Sequence, residues 1–263
     1  MSRLILHGVD FSGADGGGAA KIRIAERELA PRSAVRMRGR LDRNGLRKAI
    51  LESASDGREH LWRIDAPFGL PLEVFRDGRP EGLGGELTWR AIAEWMAGFG
   101  TAREWRGAMR EISRREPKRV CDREFRTPLA PMNLRVFKQT FTVITEILLP
   151  LADAGIAIEP VSAGVGDGAR VRVCEGCPAS VLQRREWPSK GYKGGGEPPR
   201  ARREEIIRLL RKEGLEIPSP VAVEAIHDEE GDILDALILV TAPLGVAIPA
   251  EQSAIAAVEA WVY

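Results

Sequence analysis

The chain has 263 residues, enough for one large domain or two small ones. Its 39 Lys and Arg nearly balance 38 Asp and Glu, leaving a net charge of +1. That balance excludes a protein that coats nucleic acid by bulk positive charge, but not an enzyme with a local basic groove.

Residues 3–9 (RLILHGV) form an apolar run of strand length that ends at Asp10 and a Gly-rich turn. The run is too short for a signal peptide and leads straight into an acid. KIRIAERELA and SAVRMRGRL read as two further strands joined by short turns, hence an antiparallel meander. DRNGLRKAILESAS reads as a helix, and HLWRIDAPFGLP as a strand that stops at Asp65, because Pro67 and Gly69 break it. The section from about 86 to 153 has helical spacing of Trp, Ile, Ala and Met, which predicts a helical insertion whose aromatic residues are core. The linking segment PKRVCDREFRTPLAPMN is too rich in Pro, Arg and Asp for a helix interior.

ARVRVCEGCP reads as a fifth strand followed by a short helix ending near Trp187. A loop dense in Gly and Pro (PSKGYKGGGEPP) leads into an amphipathic helix, RARREEIIRLLRKEG. GDILDALILVTA reads as a buried helix ending before Pro243, and AVEAWVY as a last short strand. The longest apolar stretch, ILDALILVTAPLGVAI, is interrupted by Asp235 and Pro243, so no membrane span is expected and the expected location is the cytoplasm. The expected fold class is α/β, a mixed sheet flanked by helices in a single domain over 1–263.

Four acids stand out. Asp10 and Asp65 each end a strand. Asp232 and Asp235 are three apart on one helix face, and Asp235 is surrounded by Ile233, Leu234, Ala236, Leu237 and Ile238. Burying clustered carboxylates is unfavourable, and divalent cations relieve both the desolvation and the repulsion. Hard oxygen ligands suit Mg²⁺ or Mn²⁺. Two such ions roughly 4 Å apart can drive an in-line displacement at phosphorus. Each acid also has a plainer reading: Asp232 as a first-turn acid favoured by the helix dipole, Asp10 and Asp65 as residues at strand ends before a turn.

Lys190, Lys193, Arg200, Arg202 and Arg203 surround Gly194, Gly195 and Gly196 just before a helix. Such a loop can approach a phosphate closely, and Tyr192 beside it could stack on a base. The alternative is a surface loop with a solvated helix face. The basic run from Arg114 to Arg126, with Arg110 just upstream, reads as solvated surface. Glu175 either reaches the site edge, caps the next helix or pairs with an Arg. His7 and His227 read as structural. Cys121, Cys174 and Cys177 give no disulfide framework; the CxxC spacing of Cys174 and Cys177 lacks a second pair, so both read as small core residues.

The blocks GVDFSGA, RIDAPFGLP, CDREFRTPLAPMNLRVFKQTF, YKGGGEPPRARREEII, GDILDALILVTA and EAWVY resemble, in this order, an RNase-H-like domain-of-unknown-function family described as predicted nucleases. The resemblance runs from residue 8 to the end. It extends to RuvC-type resolvases, in which acids on the first strand, at the end of the fourth and paired in a final helix bind two metals. It implies an RNase-H-like fold and a two-metal phosphodiester hydrolase, with Asp10, Asp65, Asp232 and Asp235 as catalytic metal ligands for Mg²⁺ or Mn²⁺. It also implies Ser12, Tyr192, Lys193, Gly195, Arg200 and Arg203 as substrate-binding residues, and nucleic acid or a nucleotide as partner. One departure is the Asp at the fourth strand, where resolvases carry Glu. Two other functions remain open: an ATP-dependent phosphotransferase of the actin and sugar-kinase type, which needs two copies of the core, and a non-catalytic nucleic-acid or nucleotide-binding module.

Overall fold

The computed structural model describes residues 4–16, 20–30, 33–76, 78–162, 168–241 and 247–263. Pro243 and two glycines of the first turn, Gly17 and Gly18, lie outside these. Strands β1 (Leu4–Asp10), β2 (Ile22–Glu28) and β3 (Arg36–Leu41) form the expected antiparallel meander. Helix α1 (Arg43–Ser53) starts where the Asp42 side chain accepts from the Gly45 N–H, and leads to β4 (Glu59–Asp65). The chain then runs through α2 (Trp89–Ala97), α3 (Ala102–Ile112), α4 (Val120–Glu124) and α5 (Phe137–Thr142). A π-helical stretch over Val143–Leu148 joins α5 to α6 (Leu149–Asp153).

Strands β5 (Ala157–Ile158) and β6 (Val171–Gly176) follow, then α7 (Pro178–Arg184), α8 (Glu197–Lys212), α9 (Ser219–His227), α10 (Asp232–Leu239) and α11 (Ser253–Glu259). The sheet order is β3-β2-β1-β4-β6-β5, with β1, β4, β6 and β5 parallel to one another and β2 antiparallel to β1 and β3. The expected α/β class and mixed sheet flanked by helices hold.

Alternation along the strands fills two apolar layers. Val9, Ile24, Trp62 and Ile64 point to the side covered by α1 to α3 and the π-helical stretch. Leu6, Ala25 and Leu61 point to the side covered by α7 to α10. No helix among the described residues is long and apolar enough to cross a membrane.

Three expectations change. The segment 117–133 contains the short helix α4, held by a bonding network around Arg119. Helix α9, begun with Pro near its first turn, had no expected counterpart. The first three residues of the tail AVEAWVY instead close helix α11, where SAIAAVE is Ala-rich, and Val262 bridges to Glu175 as a strand would.

The seat of α10 is set by two glycines. A Cβ on Gly8 of β1 would lie 2.1 Å from the Ala236 carbonyl oxygen, and one on Gly176 of β6 would lie 2.7 Å from Leu239 Cδ2. Their bareness lets α10 lie directly on the sheet. Buried Arg63 of β4 then donates to the Leu239 carbonyl at 2.9 Å, pairing a cation with the C-terminal end of α10.

Candidate metal centre

Asp10 and Asp65 are direct neighbours in the parallel β1–β4 register, at the carboxyl ends of both strands. Equal register puts both side chains on one face of the sheet, the face carrying α10. Gly231, in the left-handed conformation, turns the chain into α10, and the Asp228 carboxylate caps the Ile233 N–H at 2.8 Å. The first turn of α10 thereby delivers Asp235 to the two strand ends. Asp10, Asp65 and Asp235 each offer a carboxylate oxygen, and these oxygens lie within 4.8 Å of one another. Asp10 and Asp65 are half-buried and Asp235 is 1% exposed.

The electrostatics follow from this crowding. Burial, then repulsion from Asp235, Asp232 and Asp65, holds the Asp10 carboxyl well above its usual range. Burial and the Asp235 charge push Asp65 up to about 8. Burial also raises Asp235, although Lys193 and Tyr192 pull it back: Lys193 Nζ sits 2.6 Å from its Oδ2, and the Tyr192 hydroxyl donates to its Oδ1 at 2.8 Å. Burial works to lower Lys193, but the acids outweigh it and hold the ammonium above its usual value. Burial and the neighbouring Asp235 keep the Tyr192 phenol protonated. One ammonium thus faces three carboxyl groups, and burial with mutual repulsion opposes the ionisation of all three together.

This donor set fits Mg²⁺ or Mn²⁺. It consists of hard carboxylate oxygens without sulfur or imidazole, and it carries more negative charge than Lys193 neutralises.

Asp232 lines the same cleft but lies outside the triad. It occupies the first helical position, about 4.5 Å of helix rise before Asp235. Burial and the Asp228 charge raise it to about 6.

The cleft has a volume of about 400 Å³. Part of its lining is a buried ion-pair network around Arg119, a residue expected to be solvated surface. Arg119, 1% exposed, donates to both oxygens of Glu175, at 2.5 and 2.7 Å, and to both oxygens of Asp122. Glu175 also accepts from the Phe68 N–H at 2.8 Å. Of the three roles open to Glu175, two are met: it pairs with an Arg and it reaches the cleft that the acids line. Burial would raise Asp122, but Arg119 outweighs it and holds the carboxyl below its usual range.

The chain matches no protein-family model, no curated protein and no solved structure. Its site therefore rests on its own geometry. Of the residues expected to bind substrate, Ser12 and Lys193 line the cleft. Tyr192 does not present a face for stacking: it is 5% exposed and packed in the core beneath α10. Arg203 is 2% exposed and donates to the carbonyls of Tyr192, Gly194 and Ile226, so it holds the loop in shape and is not open to a phosphate. Arg200 pairs with Glu204 and, with Gly196, lines a separate surface hollow. Gly195 packs against the Glu229 carboxylate. The loop thus serves the acids through Tyr192 and Lys193, while its remaining groups stabilise the loop.

His7 is structural: it stacks on Trp62 and bonds to His60. His227 is a last-turn residue of α9 that bonds to the Val223 carbonyl. All three cysteines are free and buried, as core residues. Arg119, Asp122 and Gln139, all lining the cleft, were not anticipated.

Proposed function

We propose that the protein is a divalent-cation-dependent phosphodiester hydrolase of RNase-H-like architecture, acting on nucleic acid or a nucleotide. The observation that carries this reading is the convergence of Asp10, Asp65 and Asp235 within 4.8 Å at the ends of adjacent parallel strands, under-neutralised by a single lysine. Structural carboxylates are ordinarily paired one to one; a surplus at the floor of a cleft points to a cation.

Asp10, Asp65 and Asp235 would hold the first Mg²⁺ or Mn²⁺, and Asp232 with Asp10 a second. When bound, the cations supply Lewis-acid polarisation of the phosphoryl group. Tyr192 fixes the Asp235 carboxylate through Oδ1, and the Lys193 ammonium on its half-exposed stem contributes positive charge where a phosphate would approach. Ser12 offers a hydroxyl at the same wall.

The test is a titration with Mn²⁺ and Mg²⁺ followed by thermal shift, together with hydrolysis of bis(p-nitrophenyl) phosphate. Asp10→Asn is expected to abolish the cation-dependent hydrolysis while leaving the circular dichroism spectrum unchanged. Full activity in that variant would overturn the mechanism. The described residues form one six-stranded sheet, so no observation favours a two-core phosphotransferase. Cation binding without hydrolysis of any phosphodiester would favour the binding module.

A further inference from the structure

Three observations bear on how much of a substrate reaches the acids, given the reading as a phosphodiester hydrolase. Part of the cleft's lining is Arg119, Asp122 and Glu175, each at most 3% exposed and locked in ion pairs through Arg119, so a strand has no exit past them.

Part of the lining is apolar. Pro128, Leu129 and Val136, from the segment between α4 and α5, form it and keep surface open to solvent. The volume of about 400 Å³ lies at the small end of the range for a single bound small molecule, roughly 300–1,000 Å³. Base rings lie readily against such surfaces.

The lining is poor in positive charge. Among the described residues lining the cleft, Lys21 and Lys193 are the cations outside the Arg119 network, set against Asp232 and Glu230 as well as the triad. Proteins that grip a long strand neutralise many phosphates. Two lysines suit one or two.

We propose that this cleft takes the terminal nucleotide of a single strand. The base lies along Pro128, Leu129 and Val136, its phosphodiester rests at the acids, and the rest of the strand leaves past the exposed Lys21 and half-exposed Lys193. Hydrolysis adds one water across one P–O ester bond: hydroxyl goes to phosphorus, the proton to the departing sugar oxygen, and a mononucleotide is released. The segment between α4 and α5 is thereby the element that selects a strand end over a continuous strand.

The experiment gives the full chain Mn²⁺ and three kinds of substrate: linear single-stranded DNA and RNA oligonucleotides, the same oligonucleotides closed into circles, and bis(p-nitrophenyl) phosphate. The expected result is mononucleotide release from a linear strand, at least tenfold slower cleavage of its circle, and hydrolysis of the small diester. A circle cut as fast as its linear form overturns the end-selecting cleft while leaving the hydrolase standing. Hydrolysis of the small diester with no cleavage of any linear strand overturns it too. No hydrolysis of any of the three overturns the underlying hydrolase reading. Leu129→Ala is expected to raise KM for the linear strand several-fold with kcat within twofold; an unchanged KM overturns the apolar wall as the base's resting place.

Discussion

Replacing Asp65 by Asn removes a carboxyl whose folded-state pKa stands near 8 because of burial and the Asp235 charge. In the unfolded chain the same group titrates near 3.9. A folded pKa raised above the unfolded one contributes stability that is present below the unfolded value and is lost as pH rises towards the folded value. At pH 7 the folded protein must hold a proton that the unfolded chain has released, across about three pH units. At about 1.4 kcal/mol per unit this is roughly 4 kcal/mol as an upper limit, and about 2–4 kcal/mol once neighbouring groups relax. Asparagine has nearly the same shape and no such penalty. In EDTA the variant should therefore unfold about 5–10 °C higher than wild type at pH 7.5 and at the same temperature at pH 4.5, given the usual few degrees per kcal/mol for a chain of this size. With Mn²⁺ added, the wild type should rise and the variant should not. Thermal unfolding followed by circular dichroism across pH 4.5–8, with EDTA or Mn²⁺, reads all four states. A variant that melts below wild type at pH 7.5 in EDTA, or that keeps the full Mn²⁺ shift, would refute the argument that these carboxylates are held in mutual repulsion for a cation.

Lys193→Met should lower stability in EDTA by about 1 kcal/mol, a figure reduced for the lysine's exposure, with most of the deficit disappearing in Mn²⁺; differential scanning calorimetry measures both. Gly8→Ala places a methyl against the Ala236 carbonyl and should cost about 1–3 kcal/mol or more by denaturant titration, with Mn²⁺ affinity falling at least tenfold as α10 is lifted from the strand ends. Arg119→Met leaves Glu175 and Asp122 buried without their cation and should cost about 3–5 kcal/mol, which urea unfolding would register as a shifted midpoint. Tyr192→Phe removes the hydroxyl that donates to buried Asp235 and should cost about 1–3 kcal/mol in EDTA; a loss below about 0.5 kcal/mol would mean that the bond contributes little.

Much of this site could be read from local pattern because its ligands sit where elements end. A strand stopped by Gly or Pro leaves its last residue at the sheet edge, which placed Asp10 and Asp65. Helical spacing within an apolar run placed Asp235 at a buried interface. The same spacing could not separate Asp232 from Asp235: residues three apart share a face, yet the first helical position lies nearly a turn away and outside the triad, and no spacing rule conveys that offset. The loop was legible as a site element but not in its parts. Charge and glycine content cannot distinguish Arg203, which satisfies three carbonyls, from Lys193, which reaches the acids. Arg119 stood in a run of similar basic residues, and only its pairing with Glu175, 56 residues away, sets it apart. Helix α9 was missed because Val221, Val223 and two prolines weaken its helical signature.

The in-register pairing of Asp10 with Asp65 has a kinetic meaning. Because side chains alternate, a slip of one residue between β1 and β4 would send one carboxylate to the far face and dismantle the triad. The third carboxylate arrives from α10, far along the chain, and only after that helix has settled against bare Gly8. Such long-range closures come late in folding. A bound cation should accordingly leave the folding rate nearly untouched and slow unfolding instead, acting as a latch on the finished sheet that verifies its alignment.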